Sequence, residues 1–279
     1  MKRTEKFHIV YEDDQMVVVN KSSGIAILAD RWDDSKERLD ELMNALYAKD
    51  AEEAALAKRQ PKIAFPHRVW VVHRIDRDTS GLLVFAKTAA AHRFLSEAFE
   101  TRNVEKTYIA VVHGRPAWTD TDCTLPLRMD GDKEHRTIID KAMGKRSVTR
   151  FKYLGGIGNF AVIEAKPETG RTHQIRIHLT TLGHPIVCDS LYGSPKPVLL
   201  SAFKRGYRGD PYEEKPLLSR LGLHAYEISL PKMDVGAADG AGASDDERLK
   251  FKAELPRDMA ALINQMEKCS GEDFQLRAK

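Results

Sequence analysis

The chain has 279 residues, of which 42% are hydrophobic and 30% charged, an ordinary globular balance that excludes collagenous, low-complexity and disordered classes. It contains no apolar run long enough to cross a bilayer, and its start, MKRTEKFHIVYEDD, lacks the apolar core and cleavage site of a secretion signal, so a cytoplasmic protein is expected. The net charge of +3 hides a split: residues 63–220 hold 25 Lys and Arg against 17 Asp and Glu, and the remainder 19 against 24. A basic middle section on an acidic background suggests a polyanion-binding face.

In chain order, FHIVYEDDQMVVVNK reads as a hairpin turning at Glu12 to Gln15, and SSGIAILAD as an extended continuation. Residues 34 to 60 form a helical insertion: Leu39, Leu42, Met43, Leu46 and Tyr47 recur with helical spacing, and Asp34 with Glu37 is placed as a capping box. Pro61 and Pro66 end it. In VWVVHRIDRDTSGLLVFAK, two apolar strand-like runs flank a polar insert with four charged residues and a histidine. Thr88 is the expected cap of a helix that carries Phe94, Leu95, Ala98 and Phe99 on one face. KTYIAVVHG is a strand, and two further strands are expected across a turn at Gly155 to Asn159.

TGRTHQIRIHLTTLGHP reads as a helix capped by Thr172 and stopped at Gly183, with Ile175, Leu179 and Leu182 on one stripe. Residues 233–247 have the composition of a flexible loop, and a helix with Pro256 near its start closes the chain. Strands and helices mix without βαβ alternation, so the expected class is α+β, as one domain over residues 1–279.

The three cysteines, Cys123, Cys188 and Cys269, are far apart and odd in number, which argues for reduced thiols rather than a disulfide framework or structural zinc. His73, His92, His113, His173, His178 and His184 come without a metal-ligand spacing, and no dinucleotide or phosphate-cradling glycine motif is present. No metal and no nucleotide cofactor are therefore expected.

Asp76 lies in the polar connector between Arg74 and Arg77, while Asp78-Thr79-Ser80-Gly81 has turn composition, with Asp78 as an Asx residue. Taken as a pair, Asp76 and Asp78 also suit a glycosidase. Arg171 and Arg176, with Gln174 and two histidines around a helix start, suit an anion.

HRIDRDTSGLLVFAK closely resembles the HRLDxxTSGLL motif of the RluA-type RNA pseudouridine synthases, with Ile75 in place of leucine. Four further stretches resemble the family in order: IVYEDDQMVVVNKSSG, without the proline that usually follows the lysine, KTYIAVVHG, TGRTHQIRIHLTTLGHPIVCDSLYG and RLGLHAYEISL. LPRDMAAL fits its closing segment. The resemblance spans about residues 7 to 266. It implies a mixed, mainly antiparallel central sheet flanked by helices, with an active-site cleft across it. Many members also carry an S4-type RNA-binding domain ahead of this region; here the basic middle section is expected to capture the substrate.

The resemblance implies an isomerase that converts uridine in ribosomal or transfer RNA to pseudouridine without a cofactor; a monomer is expected. It casts Asp76 as the reacting carboxylate and leaves three routes for it: attack on C1′, addition to the base, or removal of the 2′ hydrogen. The arginine matching Arg176 holds the aspartate ionised, and Tyr108 lies against the uracil. Arg74, Arg171 and Lys106 are the candidate RNA contacts. A non-catalytic RNA-binding module is the alternative that would not need Asp76.

Overall fold

The structure, a computed structural model, describes residues 6–28, 37–56, 68–210, 212–233 and 247–276. Contacts divide it into two compact units, one of residues 1–105 and 227–253, the other of residues 106–226 and 254–279.

In the first unit, β1 (Phe7–Glu12) and β2 (Met16–Lys21) form the expected hairpin. Asp13 builds its turn: the carboxylate accepts the N–H groups of Gln15 and Met16, each at 2.8 Å. β2 also pairs antiparallel with β4 (Ser80–Ala86), and both strands are buried along their full length. Their continuous apolar runs are what a strand covered on both faces requires. Part of the cover is α2 (Ala89–Glu100), whose Ala91, Phe94, Leu95 and Ala98 pack with Val18, Leu82 and Val84. Thr88 caps this helix as expected, its hydroxyl accepting the Ala91 N–H at 3.1 Å.

α1 (Leu39–Leu56) buries Leu39, Met43 and Tyr47, the stripe expected from their spacing. It begins beyond Glu37, so the Asp34–Glu37 pair does not frame its first turn; Asp34 itself lies outside the described residues. A polar knot ties the helix to the hairpin turn instead. The Tyr47 hydroxyl and the buried Lys87 ammonium each donate to Glu12 Oε1 at 2.8 Å. Ser22 to Gly24 is a turn rather than an extended run, with Gly24 at φ +91°, a conformation that glycine adopts without cost. β3 (Trp70–Val71) pairs with β4, and β12 (Arg248–Lys252) with the Glu227–Pro231 portion of β11 (Leu223–Pro231). Most of the expected loop at 233–247 falls outside the described residues.

In the second unit, β5 (Glu105–His113), β10 (Phe160–Pro167), β9 (Thr149–Ile157) and β6 (Asp120–Cys123) lie side by side and antiparallel. The alternation of a strand sorts their side chains into two cores. Ile109, Val111, Phe160 and Val162 pack with Met259, Leu262, Ile263 and Met266 of α4 (Arg257–Ser270). Ala110, Val112, Ala161, Ile163 and Ala165 face the other way and pack with Ile175 and Leu179 of α3 (Gln174–Thr181), and Tyr108 packs on this side. β7 (Leu127–Arg128) and β8 (Ile138–Ile139) form a separate two-stranded ribbon.

The turn between β9 and β10 is only Gly158 and Asn159, shorter than the glycine-rich stretch suggests. Gly155 and Gly156 belong to the strand, and the Phe274 ring fills the space beside Gly155, where a Cβ would lie 2.1 Å from it. α4 starts after Pro256 as expected and stops at Gly271, φ +76°. The described residues form four α-helices in all, and the ladders within each unit are antiparallel, so the α+β expectation holds. Among the described residues no helix is long and apolar enough to cross a membrane.

Candidate active site

Residues 72–79 connect β3 to β4 in the first unit. Within this connector Ile75 is buried, Arg74 and Arg77 are exposed, and Asp76 is half-buried between them. The buried isoleucine anchors the segment, so its polar neighbours are presented at defined positions rather than on a free loop.

The rest of the restraint comes from the end of β2. Lys21 is fully buried, and its ammonium donates to the carbonyls of Ser22 at 2.9 Å, Ile25 at 3.1 Å and Arg77 at 2.8 Å. Ser23 Oγ donates to the Asp78 carbonyl at 2.7 Å, and the Gly24 N–H to the Arg77 carbonyl at 2.9 Å. The two residues that follow Asp76 are thus pinned through their backbone. A hydrogen bond from a charged donor contributes about 1.5–3 kcal/mol, which makes this a firm clamp.

Asp78 does not act as an Asx residue: its carboxylate meets Arg77 Nε at 3.3 Å, and the turn closes through the Thr79 N–H on the Asp76 carbonyl at 3.2 Å. His73 is also structural. Its Nε2 accepts the Val84 N–H at 2.9 Å and its ring stacks on Phe99 at 4.3 Å. Arg74 has no hydrogen-bond or ion-pair partner among the described residues.

In the second unit, Tyr108 and Lys106 are two apart on β5 and therefore project from the same side of the sheet, the side covered by α3. The Lys106 Nζ approaches Gly170, where a Cβ would stand 3.9 Å away. Burial lowers the pKa of this ammonium, and no anion among the described residues compensates it. Arg171 Nε reaches only the Arg146 carbonyl, at 3.4 Å, which leaves most of its guanidinium available.

α3 begins one residue later than the sequence suggests. Its cap position is His173, in the left-handed region at φ +56°, and not Thr172. The start is held by Gln174, whose buried amide is fully bonded: Oε1 accepts from Thr169 Oγ1 at 2.7 Å and the Arg171 N–H at 3.1 Å, while Nε2 donates to the Val148 carbonyl and Thr149 Oγ1, both at 2.9 Å. His178 Nε2 donates to the Leu125 carbonyl and Nδ1 accepts from Thr149, each at 3.0 Å. Burial pushes the pKa of this imidazole down, so it is a neutral core histidine.

Arg176 forks onto Asp189, Nε to Oδ2 at 2.8 Å and the second amino group to Oδ1 at 2.7 Å, with both side chains almost completely buried. Asp189 Oδ1 also accepts the N–H groups of Leu191 and Tyr192. Burial pushes the Asp189 carboxyl up, but the bonds and charge of Arg176 and those two backbone groups prevail and hold it below the usual carboxylate range. Tyr192 lies under the guanidinium, 5.1 Å from its ring centroid, and shares a 2.9 Å hydrogen bond with His173. Asp189 and Lys21 were not singled out from the sequence, although CDSLYG and NKSSG contain them.

A family model described as RNA pseudouridylate synthase matches residues 15–181, more than half of the chain and a span that takes in Asp76, Tyr108 and Arg176. The chain belongs to the RNA pseudouridylate synthase family. Among its relatives, ribosomal large subunit pseudouridine synthase D of Neisseria meningitidis serogroup B is 32% identical over 272 residues, 96% of this chain and 63% of the relative. The synthase D of Zymomonas mobilis is 30% identical over 260 residues, 92% of this chain and 72% of the relative. The chain thus spans between three fifths and three quarters of the length of these two relatives. The solved structure of human RNA pseudouridylate synthase domain containing 4 shares the fold, with a TM-score of 0.65 over 92% of each chain at 19% identity. Membership in the synthase family agrees with the resemblance of HRIDRDTSGLLVFAK to its motif. Among the described residues, no group of three or more His, Cys, Asp or Glu side chains is placed to hold a metal ion.

Proposed function

We propose that this chain isomerises uridine to pseudouridine in structured RNA, with ribosomal RNA as the favoured substrate and transfer RNA as the second class. In this reading residues 1–279 act as one catalytic domain in a cytoplasmic monomer. The observation that carries it is the clamp beside Asp76: a fully buried lysine donates to the carbonyl of the very next residue, Arg77. A site whose chemistry depends on one carboxylate needs that carboxylate held by a rigid frame.

The reaction breaks the N1–C1′ bond, turns the freed uracil and joins C5 to C1′; the C5 proton leaves and N1 gains one. Asp76 is the reacting carboxylate, in its ionised form. Arg176, oriented by its fork onto Asp189, is the guanidinium that favours that ionised form. Tyr108 stacks on the uracil, and such a stack is worth roughly 1–3 kcal/mol, comparable to the few kcal/mol needed to extract a base from its helix. Arg74, Lys106 and Arg171 are phosphate contacts, a role supported by the exposure of Arg74 and the uncompensated burial of Lys106.

The names of the relatives, ribosomal large subunit synthases, favour ribosomal RNA. Chemical mapping of pseudouridine in ribosomal and transfer RNA from a strain lacking the gene tests this directly. One ribosomal RNA signal should disappear and return on complementation; an unchanged map in both RNA classes would refute the proposal.

A further inference from the structure

The segment between the short 3-10 turn Leu200–Ala202 and β11 takes no part in the site above. From 203 to 215 it holds four basic residues, Lys204, Arg205, Arg208 and Lys215, against Asp210, Glu213 and Glu214, so its net charge is unremarkable. Its structure commits two of the three acids to backbone N–H groups.

The base of the segment is fixed. The Val198 N–H donates to the Leu218 carbonyl at 2.8 Å, the Leu217 N–H to the Val198 carbonyl at 2.9 Å, and Phe203 is buried edge-on to Phe160 at 5.9 Å. Two of the acids are consumed in shaping it. Asp210 accepts the Tyr212 N–H on its carboxylate at 2.8 Å and the Glu213 N–H on its carbonyl at 3.2 Å, while Glu214 accepts the Ser201 N–H at 2.8 Å. Gly206, at φ +64°, turns the chain between Arg205 and Arg208.

What remains is three cations and one aromatic ring, with Glu213 as the one acid whose carboxylate no described backbone group engages. The side chains of Lys204, Arg205 and Arg208 are exposed and have no hydrogen-bond or ion-pair partner among the described residues. Tyr212, presented by the Asp210 turn, is 97% exposed, the highest value of any large apolar side chain described. Cations that follow a phosphate backbone beside an aromatic face on which a base can stack are the means by which proteins hold single-stranded nucleic acid. A duplex offers its phosphates to such a loop but no free base face to the ring.

We propose that Lys204, Arg205, Arg208 and Tyr212 form an accessory contact for an unpaired stretch of the RNA substrate, the cations on backbone phosphates and Tyr212 stacked on a base. This inference rests on the RNA-modifying function proposed above and adds a surface to it. An acidic protein partner would engage the cations too, but would give the bare ring no base to stack on.

The test uses the full chain with Tyr212→Ala, with Tyr212→Phe, and with Lys204→Gln, Arg205→Gln and Arg208→Gln combined. Each is titrated with fluorescein-labelled oligouridylate and with a fully paired RNA duplex over a salt series. The triple variant should lower the slope of log affinity against log salt on oligouridylate by about 2, three contacts at about 0.7 each. Tyr212→Ala should weaken oligouridylate binding about 5- to 150-fold, the range of one stacked base, and leave duplex binding unchanged; Tyr212→Phe should bind as the parent does. Unchanged slope and affinity would overturn the proposal, as would equal losses on duplex and single strand in Tyr212→Ala. Pseudouridine formation by the same proteins separates the two readings. A parent protein that makes no pseudouridine yet shows these binding differences keeps the loop contact and sinks the activity. A parent that makes it, with variants of unchanged affinity and KM, does the reverse.

Discussion

The ammonium of Lys21 lies 2.8 Å from the carbonyl oxygen of Arg77, so a fully buried cation at the end of β2 fixes the residue that follows Asp76. Replacing Lys21 by methionine keeps most of its volume and removes the donor. Three carbonyls lose that partner, at a cost on the order of 3 kcal/mol. Thermal unfolding of Lys21→Met should show a clearly lower Tm, with product formation falling more than RNA binding. A Tm equal to that of the parent would show that the clamp contributes nothing.

The Arg176–Asp189 pair is buried, and breaking such a pair from one side costs about 3–5 kcal/mol because the other charge is left behind. Asp189→Asn retains the shape of the side chain and should lower both Tm and pseudouridine formation. Asp189→Asn with full stability would mean that the guanidinium finds equal compensation elsewhere.

The same pair has a pH signature. Asp189 titrates below the ordinary carboxylate value in the folded protein, so between that depressed value and about 4 the unfolded chain binds the extra proton. The stabilisation is fully present above about pH 4 and is lost as pH falls through the folded value. Asp132 and Asp140 are lowered as well, so the quantity to measure is the difference between the parent and Asp189→Asn. Their unfolding free energies should converge below pH 4; parallel curves would contradict the assignment.

Lys106 is a cation that burial disfavours and that no described anion compensates. Its amine should lose its proton at a lower pH than an ordinary lysine, and its labelling by an acylating reagent near pH 8 should reflect that. Bound phosphate should restore the proton and protect it. Mass-spectrometric labelling rates with and without RNA check this; a rate indifferent to RNA would remove Lys106 from the interface.

The parts of the fold that could be read from sequence are those fixed by neighbours in the chain. VVV and LLVFA announce buried strands, Thr88 stands next to the helix it caps, and Leu39, Met43 and Tyr47 carry their own period. The start of α3 is not legible locally because its restraint is not a local cap: Gln174 bonds Val148 and Thr149, at the start of β9. The glycines at 155 and 156 looked like a turn because Phe274, the reason for Gly155, lies far along the chain. The site divides in the same way. Asp76 and Tyr108 sit in motifs, whereas the partner of Arg176 is one acid in a later loop that only the folded chain brings within 2.7 Å.

The most direct test of the account is tritium release from RNA labelled at C5 of uridine, compared between the parent chain and Asp76→Asn at matched RNA binding. The parent should release tritium in step with pseudouridine formation, and Asp76→Asn should bind the RNA with similar affinity and release none. Continued release by Asp76→Asn would contradict the assignment of Asp76 as the reacting carboxylate.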